Sequence, residues 1–511
     1  MKKILIISIL LLSISAIQAQ TNSLYFTKNI FQTTELNPAR QLPCNFSLGL
    51  PVVSSVYLNL LNKDFDYSSL FVEDVSGNFS PDLDGFYNAL NGNNYIFVNN
   101  KISLGNIGVW IKDFYVFFDV NLNNNVNVGI PKSLFIIKDG NYFEDDNSYF
   151  SATDLAVNVN SYVEYGLGIS KEILPGLTIG GKFKVYTGIT NLTTSEFKLD
   201  WKVSTADTSN YEYTMTVAGE INSSAWLSTS SDTLSGIDDV NFSGETKITD
   251  FINEVTTTYK LPFKDVFSKP NLGIGMDFGV IYKLNNQFEF SASVIDFGFI
   301  NWQNSPLSIT IEEKDFIFSG LEIGQYLGDS TIFSIMRNEE MKDSILASIE
   351  GDMIDTLLSL ATPTTDSSKY RTPLNTKLYF AAAYSPTDWF SAGFLYNGIF
   401  FNNKLISSYT LSTTLMSRKG WSYSINYTMF KNSYNNLGMG VSWKILGFQT
   451  YLFLDNISIP TFAARYAAYP DKPYNEGIAT KWIKSTRMVN LHFGINILLG
   501  CKKQKDYGLI D

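Results

Sequence analysis

Apolar and polar residues alternate one by one along several stretches of this chain. That is the pattern of strands, whose successive side chains point to opposite faces. In 421–429, Trp421, Tyr423, Ile425, Tyr427 and Met429 share one face, and Ser422, Ser424, Asn426 and Thr428 the other. In 436–445, Leu437, Met439, Val441, Trp443 and Ile445 oppose Asn436, Gly438, Gly440, Ser442 and Lys444. In 489–497, Val489, Leu491, Phe493, Ile495 and Ile497 oppose Asn490, His492, Gly494 and Asn496. In 271–282, Leu272, Ile274, Met276, Phe278, Val280 and Tyr282 oppose a face rich in glycine. Runs of 9–12 residues suit tilted strands that cross a bilayer, which need about 9–11.

A one-sided soluble sheet alternates too, so the connections must decide. Tight turns are predicted at Leu174-Pro175-Gly176, Leu284-Asn285-Asn286, Ser385-Pro386-Thr387, Arg418-Lys419-Gly420 and Leu446-Gly447. Between them lie long connections at 190–270, 298–375 and 456–487. From residue 161 onward short and long connections alternate, with weaker turns at 400–404 and 431–435 on the long side. Outer-membrane barrels have this asymmetry, with short periplasmic turns and long extracellular loops. Eleven spans are predicted from 161 to 499, and three more near 46–60, 95–104 and 109–121, with a turn at Gly105–Gly108. The fold class is therefore all-β, a transmembrane antiparallel barrel of about 14 strands, an even number as bacterial barrels require. It must close, because an open edge in lipid leaves backbone groups without partners. Strand 488–499 then runs inward, which puts both termini in the periplasm. Segment 193–219 still alternates and is predicted to extend a hairpin above the membrane. Residues 333–361 carry apolar positions at helical spacing, read as a cap over the mouth. Asn121–Asn127 reads as loop chemistry.

Composition sharpens this reading. Charged residues make up 17% and aromatic residues 15%, against about 25% charged for a soluble globule. Lys2 and Lys3, the apolar run Ile4–Leu12 and the Ala16–Ala19 site form a secretory signal over 1–19. That run is too short for a membrane helix, which needs roughly 20 residues. The expected organisation is a signal (1–19), an N-terminal plug or hatch segment (20–44), the barrel (45–500) and a periplasmic tail (501–511). The net charge of −11 opposes nucleic-acid binding, which needs a basic surface. Cys44 and Cys501 lie at opposite ends of the chain and read as unpaired thiols without metal-ligand spacing.

Four stretches carry a family resemblance: LYFTKNIFQTTELNPARQLPCNFSLGLPVVSSVYLNL at 24–60, GGKFKVYTGITNLTT at 180–194, SASVIDFGFINW at 291–302 and NLHFGINILLG at 490–500. They resemble a family of uncharacterised outer-membrane barrels of gliding-type bacteria with type IX secretion. That family is distantly similar to the long-chain fatty-acid transporter FadL and to the secretion shuttle protein PorV. FadL-like barrels carry an Asn-Pro-Ala element in a plug inside the barrel, and the resemblance assigns it to Asn37, Pro38 and Ala39. Read locally, the same residues also fit an ordinary turn leading into strand one.

Inward parity marks Glu164, Lys182, Lys184, Glu289, Lys444 and His492 as candidate lumen-lining residues, with the charges expected to pair. Asp296 shares the parity of Phe288, Phe290, Ala292 and Val294, a face expected to meet lipid. A carboxylate there is costly near the midplane, so Asp296 is assigned to the outer rim or to a bulge that reverses the phase. No catalytic, metal or cofactor site is expected: there is one histidine, no G-x-S-x-G elbow and no phosphate loop. The expected surroundings are outer-membrane lipid and lipopolysaccharide. Three functions follow from the resemblance and the loops. FadL-like uptake of a small hydrophobic compound predicts an apolar pocket between plug and wall and an opening at a strand kink. A PorV-like accessory barrel for a secreted or surface protein predicts a filled lumen and ordered outer loops. A structural or adhesive surface barrel is the third.

Overall fold

The computed structural model describes residues 22–27, 29–62, 71–73, 79–133, 149–151, 155–207, 210–224, 270–318, 364–401, 404–417, 419–430, 433–457 and 488–501. Among these residues, fourteen antiparallel strands close into one barrel. They are β1, in two halves (Cys44–Gly49 and Val56–Asn62), β2 (Asn93–Ile111), β3 (Phe114–Pro131), β4 (Ala156–Leu174) and β5 (Leu177–Asp207). Next come β6 (Asn271–Lys283), β7 (Phe288–Trp302), β8 (Lys377–Thr387), β9 (Phe390–Phe401) and β10 (Lys404–Met416). The last four are β11 (Trp421–Phe430), β12 (Ser433–Ile445), β13 (Phe448–Ile457) and β14 (Met488–Cys501). Each pairs with its sequence neighbour, and β14 returns to both halves of β1. The count expected from alternation is the count found.

Alternation builds two faces with different solvents. Leu167, Phe183, Ile274, Phe278, Leu411, Ile425 and Phe493 stand exposed on the outer wall. Their strand neighbours Lys182, Lys184, Asp277, Ser412, Ser424 and Asn426 are buried inside. An apolar exterior around a polar interior is the arrangement of a barrel in lipid. No described helix is long and apolar enough to cross a membrane.

The two barrel ends differ. Among the described residues, one end carries turns of two to four residues at 112–113, 175–176, 284–287, 388–389 and 446–447. Leu446 (φ 48°) and Gly447 (φ 88°) both adopt the left-handed region, as a two-residue hairpin turn requires. At the other end β5 continues for 31 residues, about 100 Å of extended chain at ~3.3 Å per residue. Its upper part pairs with the strand Asn210–Ser224, which pairs with Pro306–Phe318. These three strands form a sheet that projects beyond the barrel.

Several expectations are corrected. Gly105–Gly108 is not a turn: β2 runs through it, with a register shift at Ser103/Gly105, and the turn is Lys112-Asp113. Asn121–Asn127 is not a loop but the middle of β3. Strand one is broken at 50–55, where Leu50, Val52 and Val53 are exposed and Ser54 and Ser55 are buried. Cys44 and Cys501 are not free thiols: they form a disulfide directly across the β1–β14 seam. Closure of the barrel makes these distant residues register partners. The expected signal (1–19), helical cap (333–361) and the tail after Cys501 lie outside the described residues.

Candidate functional site

Residues 22–43 precede the first strand and occupy the lumen. A short helix (Asn22–Phe26) leads to a 3-10 helix (Phe31–Glu35). Leu24, Tyr25, Phe26, Ile30, Phe31 and Leu42 are almost fully buried. Leu24 and Ile30 pack on Tyr451 and Phe453, while Tyr25 and Phe26 pack on Ile295, Tyr379 and Leu395. Phe31 and Leu42 pack on Tyr115 and Phe117.

Polar contacts tie the same segment to strands all around the wall. Ser23 donates its backbone N–H to Asp455 (3.1 Å), and Tyr25 Oη lies 3.0 Å from Ser291 Oγ. Gln32 and Asn496 exchange amide hydrogen bonds of 3.2 and 2.9 Å. Ser293 donates to the Leu36 carbonyl (2.6 Å) and Trp110 Nε1 to the Leu42 carbonyl (2.8 Å). Arg40 pairs with Glu289. Burial opposes the Arg40 charge, yet Glu289 holds the guanidinium pKa above its usual value. These partners stand on β2, β7, β13 and β14, so the segment is enclosed by the barrel.

Asn37, Pro38 and Ala39 form a tight turn in this segment. Asn37 Oδ1 accepts from the Ala39 N–H (2.9 Å), and Arg40 N–H donates to the Asn37 carbonyl (2.9 Å). This is the local bonding that suits asparagine to turns. Asn37 Nδ2 reaches the wall carbonyls of Val280 (3.3 Å) and Ala292 (3.2 Å). The turn rests on a pair of glycines facing each other across β5 and β6, Gly180 and Gly279. A Cβ on Gly180 would meet the Pro38 carbonyl oxygen at 2.2 Å, and one on Gly279 would meet Asn37 Oδ1 at 2.1 Å.

Glu164, Lys182, Lys184 and Asp296 come together in a buried charge network. Lys182 Nζ lies 2.9 Å from Asp119 and 3.1 Å from Glu164. Lys184 Nζ lies 2.6 Å from Asp296 and 2.8 Å from Asp277. Lys377 reaches the other Asp296 oxygen at 2.7 Å. On the plug side, Lys101 pairs with Glu35 at 2.8 Å and approaches Glu164 at 3.8 Å. Asp296 reaches the lumen through a bulge: Ile295 and Asp296 face the single residue Asp277, and Asp296 has φ +61°. The extra residue reverses the phase of β7. A buried charge needs such partners, so the network fixes the wall and, through Glu35, the plug. Lys101, Asp119, Asp277 and Lys377 were missed in the sequence. Asp119 and Asp277 lie on the inward faces of the spans drawn at 109–121 and 271–282, so inward parity could have flagged both.

The remaining candidates stand apart. Glu289 serves Arg40, away from the network. Lys444 is half-buried at the short-turn end, with Nζ 3.7 Å from Cys44 Sγ. His492 Nε2 lies 2.8 Å from Ser55 Oγ and 3.3 Å from Tyr451 Oη. Among the described residues its Nδ1 has no hydrogen-bond partner.

Beside the plug, on the side away from the short turns, lies a chamber of about 120 Å³. Gln32, Glu35 and Leu36 of the plug form part of its lining, and Lys101, Lys377, His492 and eight asparagines line it from the wall. A second cavity, of about 670 Å³, opens at the short-turn end beside Gln41, Pro43 and Trp110.

Residues 38–455 match a family described as a family of unknown function, DUF5723. None of the curated proteins matches the sequence. Solved structures with a similar chain path include the Ralstonia pickettii toluene transporter TbuX, at 9% identity and TM-score 0.37, over 93% of this chain and 95% of that one. The Pseudomonas putida toluene transporter TodX gives 8% and 0.35, over 94% and 93%. A Pseudomonas aeruginosa FadL homologue gives 8% and 0.36, over 96% and 100%. Likeness of this order says nothing about what the lumen holds.

Proposed function

We propose, on the premise that this chain belongs to the DUF5723 family of unknown function and inherits no activity from it, that it is a plugged outer-membrane barrel for uptake of a small polar solute. The observation that carries this reading is the chamber: a space between plug and wall in which the polar half of the lining is built of amides and ion pairs. The hydrophobic cargo implied by the family resemblance would call for a predominantly apolar pocket there, and the polar half of these walls would leave such a cargo facing unsatisfied polar groups. The apolar belt supports insertion in lipid. The Cys44–Cys501 disulfide supports an oxidising compartment outside the cytoplasm. The short-turn end, where the barrel chain starts and finishes, is assigned to the periplasm, and lipopolysaccharide surrounds the opposite rim.

Proteoliposomes carrying the protein are expected to swell in isosmotic arabinose faster than empty liposomes, and faster still when residues 22–43 are deleted. If the deletion variant keeps a heat-shifted gel mobility, the mark of a folded barrel, yet swells no faster than empty liposomes, uptake is refuted.

A second reading has its own support. The sheet built by β5, Asn210–Ser224 and Pro306–Phe318 stands clear of the barrel, as an accessory barrel that receives a secreted or surface protein would need. Trimming that sheet leaves swelling unchanged under the first reading and abolishes capture of the exported partner under the second.

A further inference from the structure

Six asparagines stand in register on six neighbouring strands. Asn490 on β14 faces Asn59 on β1, which faces Asn99 on β2. Asn99 faces Asn125 on β3, Asn125 faces Asn160 on β4, and Asn160 faces Asn191 on β5. Residues directly opposite in an antiparallel pair share a face, so the row forms one continuous band of amides around nearly half of the lumen. Asn59, Asn99, Asn125 and Asn160 of this band line the chamber, and Asn123 lies beside them.

Part of the band is satisfied from within. Asn191 Nδ2 donates to Asn160 Oδ1 (2.6 Å), and Tyr370 donates to Asn191 Oδ1 (2.7 Å). At the chamber, as at Asn490 outside it, the pattern changes. Asn59 Oδ1, Asn99 Oδ1 and Asn123 Nδ2 are buried without a hydrogen-bond partner among the described residues. Asn59 and Asn123 are only 6% and 7% exposed. A buried amide left unpaired is costly, and here both acceptors and donors are left unpaired in one lining.

The charges around them are already paired with one another. Glu35 holds Lys101, and Asp296 holds both Lys184 and Lys377. These five are all the Lys, Asp and Glu side chains among the lining residues. A charged solute would add a like charge beside one member of these pairs, whereas a neutral one adds none. The chamber thus asks for an uncharged molecule that both donates and accepts hydrogen bonds at several points, as hydroxyl groups do. Amides on adjacent strands are about 4.8 Å apart, on the order of the width of a six-membered sugar ring. Tyr57, Tyr162 and Phe97 supply flat apolar surface in the same lining.

We propose that the asparagine band is a binding site for a neutral saccharide. The proposal deepens the uptake reading and rests on it only for the route by which the sugar arrives. Its test uses the purified full chain in detergent with glucose, galactose and N-acetylglucosamine, read by calorimetry, with toluene as the apolar comparison. At least one sugar binds saturably and toluene does not. Asn99→Leu and Asn123→Leu each weaken that binding about tenfold, the worth of one lost hydrogen bond, while the heat-shifted gel mobility is kept. No saturable binding of any of the three sugars overturns the proposal, as does binding that folded Asn99→Leu and Asn123→Leu proteins retain in full. The two readings fail separately. A sugar that binds but never crosses in the swelling assay sinks uptake and keeps the site, and arabinose that crosses while no sugar binds does the reverse.

Discussion

The seat of the Asn37-Pro38-Ala39 turn can be tested by a single methyl group. In Gly279→Ala the new Cβ would fall 2.1 Å from Asn37 Oδ1 and 2.8 Å from Pro38 Cδ, well inside contact distance. The strand cannot yield, because Gly279 is bonded between β5 and β7. The turn must lift instead, and Asn37 then gives up its hydrogen bonds to the Val280 and Ala292 carbonyls. Two hydrogen bonds at about 1 kcal/mol each agree with the ~1–3 kcal/mol cost of overpacking. A loss of about 2 kcal/mol raises the open fraction of the plug about thirtyfold, at a decade per ~1.4 kcal/mol. Hydrogen exchange of residues 29–43, followed by mass spectrometry on the detergent-solubilised protein, measures this opening. Gly181→Ala is the matched control, since the nearest atom to its Cβ would be the Asp277 carbonyl oxygen at 3.8 Å. It should leave plug exchange unchanged. If Gly279→Ala exchanges like Gly181→Ala, the glycine pair is not the seat of the plug and the reasoning fails.

Two more substitutions probe the charge network. Asp296→Ala strips Lys184 of a buried partner and should cost about 3–5 kcal/mol. It would be read as a lower temperature for the heat-induced gel shift, and an unchanged temperature would show that the network does not brace the wall. Lys101→Met leaves Glu35 on the plug without its 2.8 Å partner, and should weaken plug attachment by about 1–3 kcal/mol. Faster exchange confined to residues 29–43 is the expected result; faster exchange across the whole barrel would mean that Lys101 supports the fold rather than the plug.

The wall was legible in the sequence because period-two alternation records directly which face meets lipid. Strands β6, β11, β12 and β14 could be drawn from Leu272 to Ile497 by parity alone. Asp296 was legible as a conflict, a carboxylate on an apolar face, and a bulge with one left-handed residue resolves it. Gly105 misled because glycine inside a strand also marks a bulge, and the β2–β3 register slips there. Asn121–Asn127 misled because asparagine is a turn former in water, whereas here Asn121, Asn123 and Asn127 lie buried on the polar inner face of a strand. The cysteine pair was invisible to spacing rules, which look for near neighbours; barrel closure pairs the first strand with the last, so residues 457 apart in sequence become opposite. The plug contacts were beyond reach, since partners such as Ser23 and Asp455 are set by the shape of the lumen and not by any local pattern.

The disulfide also changes what kind of object the barrel is. Thirteen of its fourteen joints are spanned by the chain itself; the seam between β1 and β14 is the exception, held by hydrogen bonds alone until Cys44 meets Cys501. With that bond in place the polypeptide from 44 to 501 is a covalent ring. A ring has no free terminal strand, so unfolding cannot start by peeling β1 from β14 at the Cys44–Cys501 end. Any insertion pathway in which the seam stands open must therefore be complete before these two thiols oxidise, and the bond then serves as a latch that records that the barrel has closed on itself.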